Sequence, residues 1–148
     1  HRQRLFNLGL EHHLEPLTII HPSAICSRHA EVGPGCQLLP LCVINAGASL
    51  GSNVIVNSGA VVEHDCVLES HVHVATGARL ASGVRVGLGA HVGAGATVKQ
   101  LVSIGARSIV GAGAVVVEDV PDEAVVIGVP ARPMKKRSSP RRSGKGKK

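Results

Sequence analysis

Tryptophan and tyrosine are absent from the 148 residues, and phenylalanine and methionine occur once each. Since 44% of the chain is still hydrophobic, the apolar mass has to be valine, isoleucine, leucine and alanine, a set of small, stiff, β-preferring side chains. No run of 18 apolar residues occurs, which excludes a membrane-spanning helix, and the opening His1-Arg2-Gln3-Arg4 is not a signal peptide. A cytoplasmic protein with no membrane partner is expected. Residue 1 is not Met, so the chain reads as a piece of something longer. Its length leaves room for one continuous core and excludes a two-domain enzyme.

The net charge of +6 is unevenly placed, because nine of the 16 Lys and Arg residues fall in the last 17 positions. The remaining seven face ten acids, leaving the body at −3. A body that tracks a phosphate backbone is therefore excluded, and no specific nucleic-acid partner is expected. The basic tail alone would attract anions without sequence preference.

What the sequence has in abundance is a period of six. From Ile20 every sixth residue up to Val116 is apolar: Cys26, Val32, Leu38, Ile44 and Leu50 begin the series, and Ile104, Val110 and Val116 end it. Four residues after each comes a second series of small residues, from Ala24 through Cys36, Ala60 and Ala90 to Val120, with no slip of register. Short strands that each send one aliphatic inward, with a small residue inside every corner, satisfy this pattern. Three sides make a triangular coil in which residues 18 apart stack at roughly 4.8 Å. Gly33-Pro34-Gly35, Asn57-Ser58-Gly59, Gly93-Ala94-Gly95 and Gly111-Ala112-Gly113 supply corners where the backbone needs positive φ or close approach. Periodicity thus predicts an all-β, triangular parallel β-helix of a little over five coils, with its hand left open.

The ends differ. Residues 1–19 carry leucines at partly helical spacing, broken by Gly9 and ended near Pro16, which predicts a short irregular helix capping the first coil. Residues 20–134 form the β-helix domain. Residues 135–148 are a low-complexity basic tail, expected to be disordered.

His64 falls outside the coil on the third position of its hexad, between Glu63 and Asp65. A histidine poised near neutrality can take a proton from an attacking amine or hydroxyl, and a neighbouring carboxylate can hold its tautomer. The plainer alternative is an exposed polar turn residue. His73 and His91 are 18 apart and should stack at one corner of successive coils. Cys26 lies in the inward series and Cys36, Cys42 and Cys66 in the small-corner series, so all four are expected to be buried packing residues whose free thiols suit a reducing cytoplasm.

Val56-Asn57-Ser58-Gly59-Ala60, Glu63-His64-Asp65-Cys66, His71-Val72-His73, Gly111-Ala112-Gly113-Ala114-Val115-Val116 and Gly128-Val129-Pro130-Ala131-Arg132 together make the sequence specific. From about Ile20 to Met134 it resembles the hexapeptide-repeat acyltransferase superfamily, in the branch of sialic-acid O-acetyltransferases and bacillosamine-pathway sugar N-acetyltransferases. The resemblance implies a left-handed coil and a homotrimer, which a core this thin would favour. It also implies transfer of an acetyl or other acyl group from acetyl-CoA to the amine or hydroxyl of a sugar or similar small acceptor. His64 matches the general base and Asp65 its orienting carboxylate. His73 matches a contact to the coenzyme's thioester end, Ala94 and Ala112 match coenzyme contacts, and Asn57 matches a position beside the acceptor. Arg132, Lys135 and Lys136 stand where basic residues could meet coenzyme phosphates, or simply begin the tail. Enzymes of that branch usually carry a small αβ domain before the β-helix, and residues 1–19 cannot form it.

Two other readings compete. A metal enzyme like the γ-class carbonic anhydrases shares the fold, but the partner of His91 at the ligand spacing would be Val86, leaving only a cluster of His64, His71 and His73. No metal is expected. The second alternative is a non-catalytic trimeric scaffold.

Overall fold

The computed structural model describes residues 1–134. The tail of 135–148, expected to be disordered, lies outside the described residues. After helix α1 (Arg2–Glu11) come nineteen short strands. The first coil holds β1 (Ile19–Ile20), β2 (Ile25–Cys26) and β3 (Glu31–Val32), and the second β4 (Gln37–Leu38), β5 (Val43–Ile44) and β6 (Ser49–Leu50). β7 (Ile55–Val56), β8 (Val61–Val62) and β9 (Val67–Leu68) make the third; β10 (His73–Val74), β11 (Arg79–Leu80) and β12 (Arg85–Val86) the fourth. The fifth contains β13 (His91–Val92), β14 (Thr97–Val98) and β15 (Ser103–Ile104), and the sixth β16 (Ile109–Val110) and β17 (Val115–Val116) with Val120 bridging to the third sheet; β18 (Val125–Ile127) then stacks on β16 before the closing β19 (Arg132–Pro133).

Strands three apart in sequence pair in parallel, so three sheets run the length of the molecule. Ile55 pairs with His73 and His73 with His91, the 18-residue stacking that the hexads predict. The second residue of each strand points inward, and Leu38, Val56, Val74, Val92 and Val110 are fully buried in one column. Small residues fill the corners: Ala60, Ala78 and Ala96 are also fully buried, because a larger side chain there would meet its neighbours across a narrow triangle. The architecture is the left-handed parallel β-helix, of about six turns.

Three details depart from expectation. First, α1 is a regular helix that runs through Gly9, and its contacts are with the side of the solenoid. Arg2 donates to the carbonyls of Asn53 and, at 2.7 Å, His71, while the Phe6 ring packs edge-on to His71 with centroids 5.5 Å apart. The open end of the first coil therefore keeps Ile19 and Ile20 half exposed and Cys26 only partly buried, against the expectation that all four cysteines are buried. Second, the register slips after Val116. Val120 pairs with Ile104 and Val125 with Ile109, an offset of 16 rather than 18, so Val120 points inward as a strand residue and not into a corner. Third, Gly128 to Arg132 forms a hairpin whose second strand, β19, pairs antiparallel with β18, and Ala131 packs against the core there.

Candidate active site

The corner between the second and third sheets stacks Ala46, His64, Ser82 and Gln100. The register is held by Asp65 N–H to Ala46 O at 3.1 Å, Gly83 N–H to His64 O at 3.0 Å and Leu101 N–H to Ser82 O at 3.0 Å. Asp65 adopts φ 60°, a left-handed turn conformation that Asp tolerates. Its carboxylate folds back along the corner into space that Gly47 leaves open, where a Cβ on Gly47 would collide with Asp65 Oδ1.

In that conformation Asp65 Oδ2 lies 2.8 Å from His64 Nδ1. The carboxylate can only accept, so Nδ1 carries the proton and Nε2 presents its lone pair. On the other side of the ring Ser82 Oγ lies 2.7 Å from Nε2. Glu63, the other carboxylate beside His64, is engaged elsewhere: its Oε2 accepts from Asn45 Nδ2 at 2.8 Å, one coil earlier. Ser82 was missed by sequence reading, although the coil period contains it, since 64 and 82 differ by 18.

His73 and His91 do stack, with ring centroids 4.8 Å apart and planes at 69°, but on the outer face of the first sheet and not at a corner. Both are the first residues of their strands, whose second residues take the inward position. Burial, followed by the neighbouring His91 and Arg2, lowers the His73 pKa below the ordinary histidine value, and burial lowers that of His91. Asn57 comes to the same place: its Nδ2 is 3.5 Å from His73 Nε2, and its Oδ1 accepts the Ser58 N–H at 2.7 Å.

Ala94 and Ala112 are exposed and stacked at the corner between the first and second sheets, joined by Gly113 N–H to Ala94 O at 2.8 Å. Gly59, Gly77, Gly95 and Gly113 form a column along this corner, and a Cβ on any of them would meet nothing within 4 Å. The result is a smooth outer strip that lets a long thin ligand approach main-chain atoms. Arg132 turns its guanidinium toward Glu118, with 3.6 Å between Nη1 and Oε2. Lys135 and Lys136 lie outside the described residues.

The predicted residues thus form two groups in one chain. His64, Asp65 and Ser82 share one corner, and Asn57 and His73 meet on the first sheet next to the corner of Ala94 and Ala112. In a triangular prism the first sheet is the side opposite the corner of His64. His64, His71 and His73 are consequently not gathered, and no group of three His, Cys, Asp or Glu side chains converges among the described residues. Cys36, Cys42 and Cys66 are fully buried; burial pushes the Cys42 thiol up to about 11, which leaves it no nucleophilic role. A shallow cavity of about 360 Å³ on the third sheet, lined by Glu69, Arg85 and Asp122, contains none of these site residues.

Comparison with known proteins bears on the fold. The bacterial transferase hexapeptide family (six repeats) matches residues 29–64. PerB from Caulobacter crescentus, solved in complex with CoA and GDP-perosamine, is 43% identical with a TM-score of 0.89 over 90% of this chain and 64% of its own. The acetyltransferase domain of PglB from Neisseria gonorrhoeae is 36% identical with a TM-score of 0.88 over 90% of this chain and 65% of its own, and has also been solved with acetyl coenzyme A. WeeI from Acinetobacter baumannii is 30% identical with a TM-score of 0.85 over 90% and 65%. The chain spans less than two thirds of the length of each of these structures. No curated protein matches the sequence. The repeat, the six-turn β-helix and these likenesses make the chain similar to hexapeptide-repeat acyltransferases, and among them to sugar N-acetyltransferases of the bacillosamine type.

Proposed function

We propose that the chain transfers an acetyl group from acetyl-CoA to the amine of a sugar, with His64 as general base. The observation that carries this reading is the His64–Asp65 pair: an exposed imidazole whose Nδ1 is fixed at 2.8 Å by a carboxylate, leaving Nε2 as the basic nitrogen, on which the Ser82 hydroxyl rests at 2.7 Å until an acceptor displaces it. In the first step His64 Nε2 takes the proton of the acceptor nitrogen as that nitrogen adds to the thioester carbonyl. Asp65 stabilises the resulting imidazolium. The oxyanion is met by main-chain N–H groups beside the coenzyme, and His64 returns its proton to the departing thiolate. PerB, solved in complex with CoA and GDP-perosamine, supports both partners. A hydroxyl acceptor needs the same base and is the alternative.

His73 and the Ala94–Ala112 corner form the coenzyme side, and Asn57 orients the acceptor. These groups lie across the prism from His64, so the working site takes His64 from one subunit and the first-sheet face from a second. We assign the assembly as a homotrimer, acting in the cytoplasm. The half-buried outer residues Ile55 on the first sheet and Val43, Val61 and Val115 on the second provide apolar contact strips.

Thiol release from acetyl-CoA in the presence of nucleotide-linked amino sugars tests the reading. At least one acceptor should give turnover, and His64→Ala should lower it about 10²- to 10⁴-fold. A His64→Ala variant as active as its parent on every acceptor would remove His64 from the mechanism.

A further inference from the structure

Asp65, His64 and Ser82 make a carboxylate, an imidazole and a hydroxyl in line, with 2.8 Å from Oδ2 to Nδ1 and 2.7 Å from Nε2 to Oγ. Because Nδ1 keeps its proton toward Asp65, the Ser82 O–H is the donor to Nε2 and its proton already points at the base. That is the arrangement of an activated hydroxyl nucleophile, a base within hydrogen-bond reach and a third group orienting the base. We propose that Ser82 is itself acylated, so that the chain cleaves activated acyl compounds without any acceptor. The proposal rests on the reading of His64 as a base.

Two further features suit the chemistry. The Ser82 backbone N–H has no hydrogen-bond partner among the described residues. Gln100 stands next in the same column, one coil beyond Ser82, as the Leu101 N–H to Ser82 O bond fixes. The unpartnered Ser82 N–H and the Gln100 side chain, one coil along the same column, are the donors on hand for an oxyanion. Ser82 is also only partly buried on an outer turn, where a reagent can reach it. Ser82 also lies one coil from His64 toward the coils that carry Ala94 and Ala112.

In the first step His64 Nε2 takes the Oγ proton while Oγ adds to the acyl carbonyl. The bond to the leaving group breaks, the leaving thiolate or phenolate takes that proton from His64, and Ser82 holds the acyl ester. Water then gives a proton to His64 and adds to the ester carbonyl. The bond to Oγ breaks, Oγ recovers the proton, and the carboxylic acid leaves.

The test uses p-nitrophenyl acetate and, separately, acetyl-CoA, both without acceptor, followed by acid quench, intact mass and peptide mapping. The expected result is an acetyl group on the peptide containing Ser82 and a nitrophenolate burst of about one per chain. Ser82→Ala should lose both and slow steady release about 100-fold, whereas Ser82→Cys should retain the adduct as a thioester. Absence of acetyl on that peptide with p-nitrophenyl acetate, or a Ser82→Ala variant that releases nitrophenolate at the parent rate, would overturn the proposal. The ester needs no coenzyme site. Acetyl-Ser82 formed from it in a protein that does not bind acetyl-CoA would keep this proposal and remove the acetyl-CoA reading; acetyl-CoA binding with no acetyl-Ser82 from either compound would do the reverse.

Discussion

His64 is held through both ring nitrogens by partners of different kinds, a carboxylate that fixes the tautomer and a hydroxyl that occupies the lone pair. Replacing Asp65 by Asn removes the charge that steadies the imidazolium and allows either ring nitrogen to hold the proton. Asp65→Asn should therefore lower kcat about 10- to 100-fold with little change in the KM for acetyl-CoA, read from initial rates with the acceptor identified by screening. His73 and His91 give a pH signature that needs no substrate. Both have a folded-state pKa below the ordinary value of 6.5, so the unfolded chain binds more protons as the pH falls through that range. Stability is fully present above about pH 6.5 and declines as pH drops toward the lowered values. Urea midpoints should fall between about pH 7.5 and 5.5, and His91→Asn should flatten the decline. At this scale the sequence singled out His64, Asp65, Asn57 and His73 because they sit in closely spaced motifs between Val56 and His73. Ser82 escaped because its partner is one coil away and nothing adjacent to it signals chemistry.

Each strand is two residues long almost throughout, so the corners decide what the coils tolerate. A Cβ on Gly93 would lie 2.6 Å from Val110 O and 2.7 Å from Ala112 N, whereas one on Gly95 would meet nothing within 4 Å. Gly93→Ala has to push main chain apart and should cost about 1–3 kcal/mol. Gly95→Ala has φ +66° to satisfy and should cost about 1–2 kcal/mol from the left-handed backbone alone. Its methyl would nevertheless stand on the proposed coenzyme strip, so its loss of acetyl-CoA affinity should exceed that of a substitution at Gly83, away from the strip. Urea unfolding and calorimetry read the two effects separately. The hexad rule was legible through Val116 because every position of the period was filled. It misplaced Val120 because valine suits an inward position and a corner alike. The shortened sixth coil is completed by side chains in place of carbonyls: Asp119 Oδ1 accepts the Ser103 N–H and Asp122 Oδ1 the Ala106 N–H, each at 2.8 Å. No periodic rule contains those substitutions.

For the whole molecule, the separation of the two residue groups has the largest consequence. One prism cannot present His64 and the first-sheet histidines to the same ligand, so the proposed site draws on at least two copies. Light scattering should give a mass of three chains, and mixing His64→Ala with His73→Ala protein should restore activity through sites that draw one intact face from each parent. Activity that persists in a protein that scatters as a monomer would contradict a shared site. The helix was legible as helix, yet its place was not, because Arg2 and Phe6 find their partners, Asn53 and His71, dozens of residues away.

Whether this β-helix holds an acyl-CoA is read most directly by calorimetric titration of metal-analysed protein with acetyl-CoA, which needs no knowledge of the acceptor. Saturable binding is expected at about one coenzyme per chain, weakened by Gly95→Ala and retained in His64→Ala. No binding up to about millimolar concentration would contradict it.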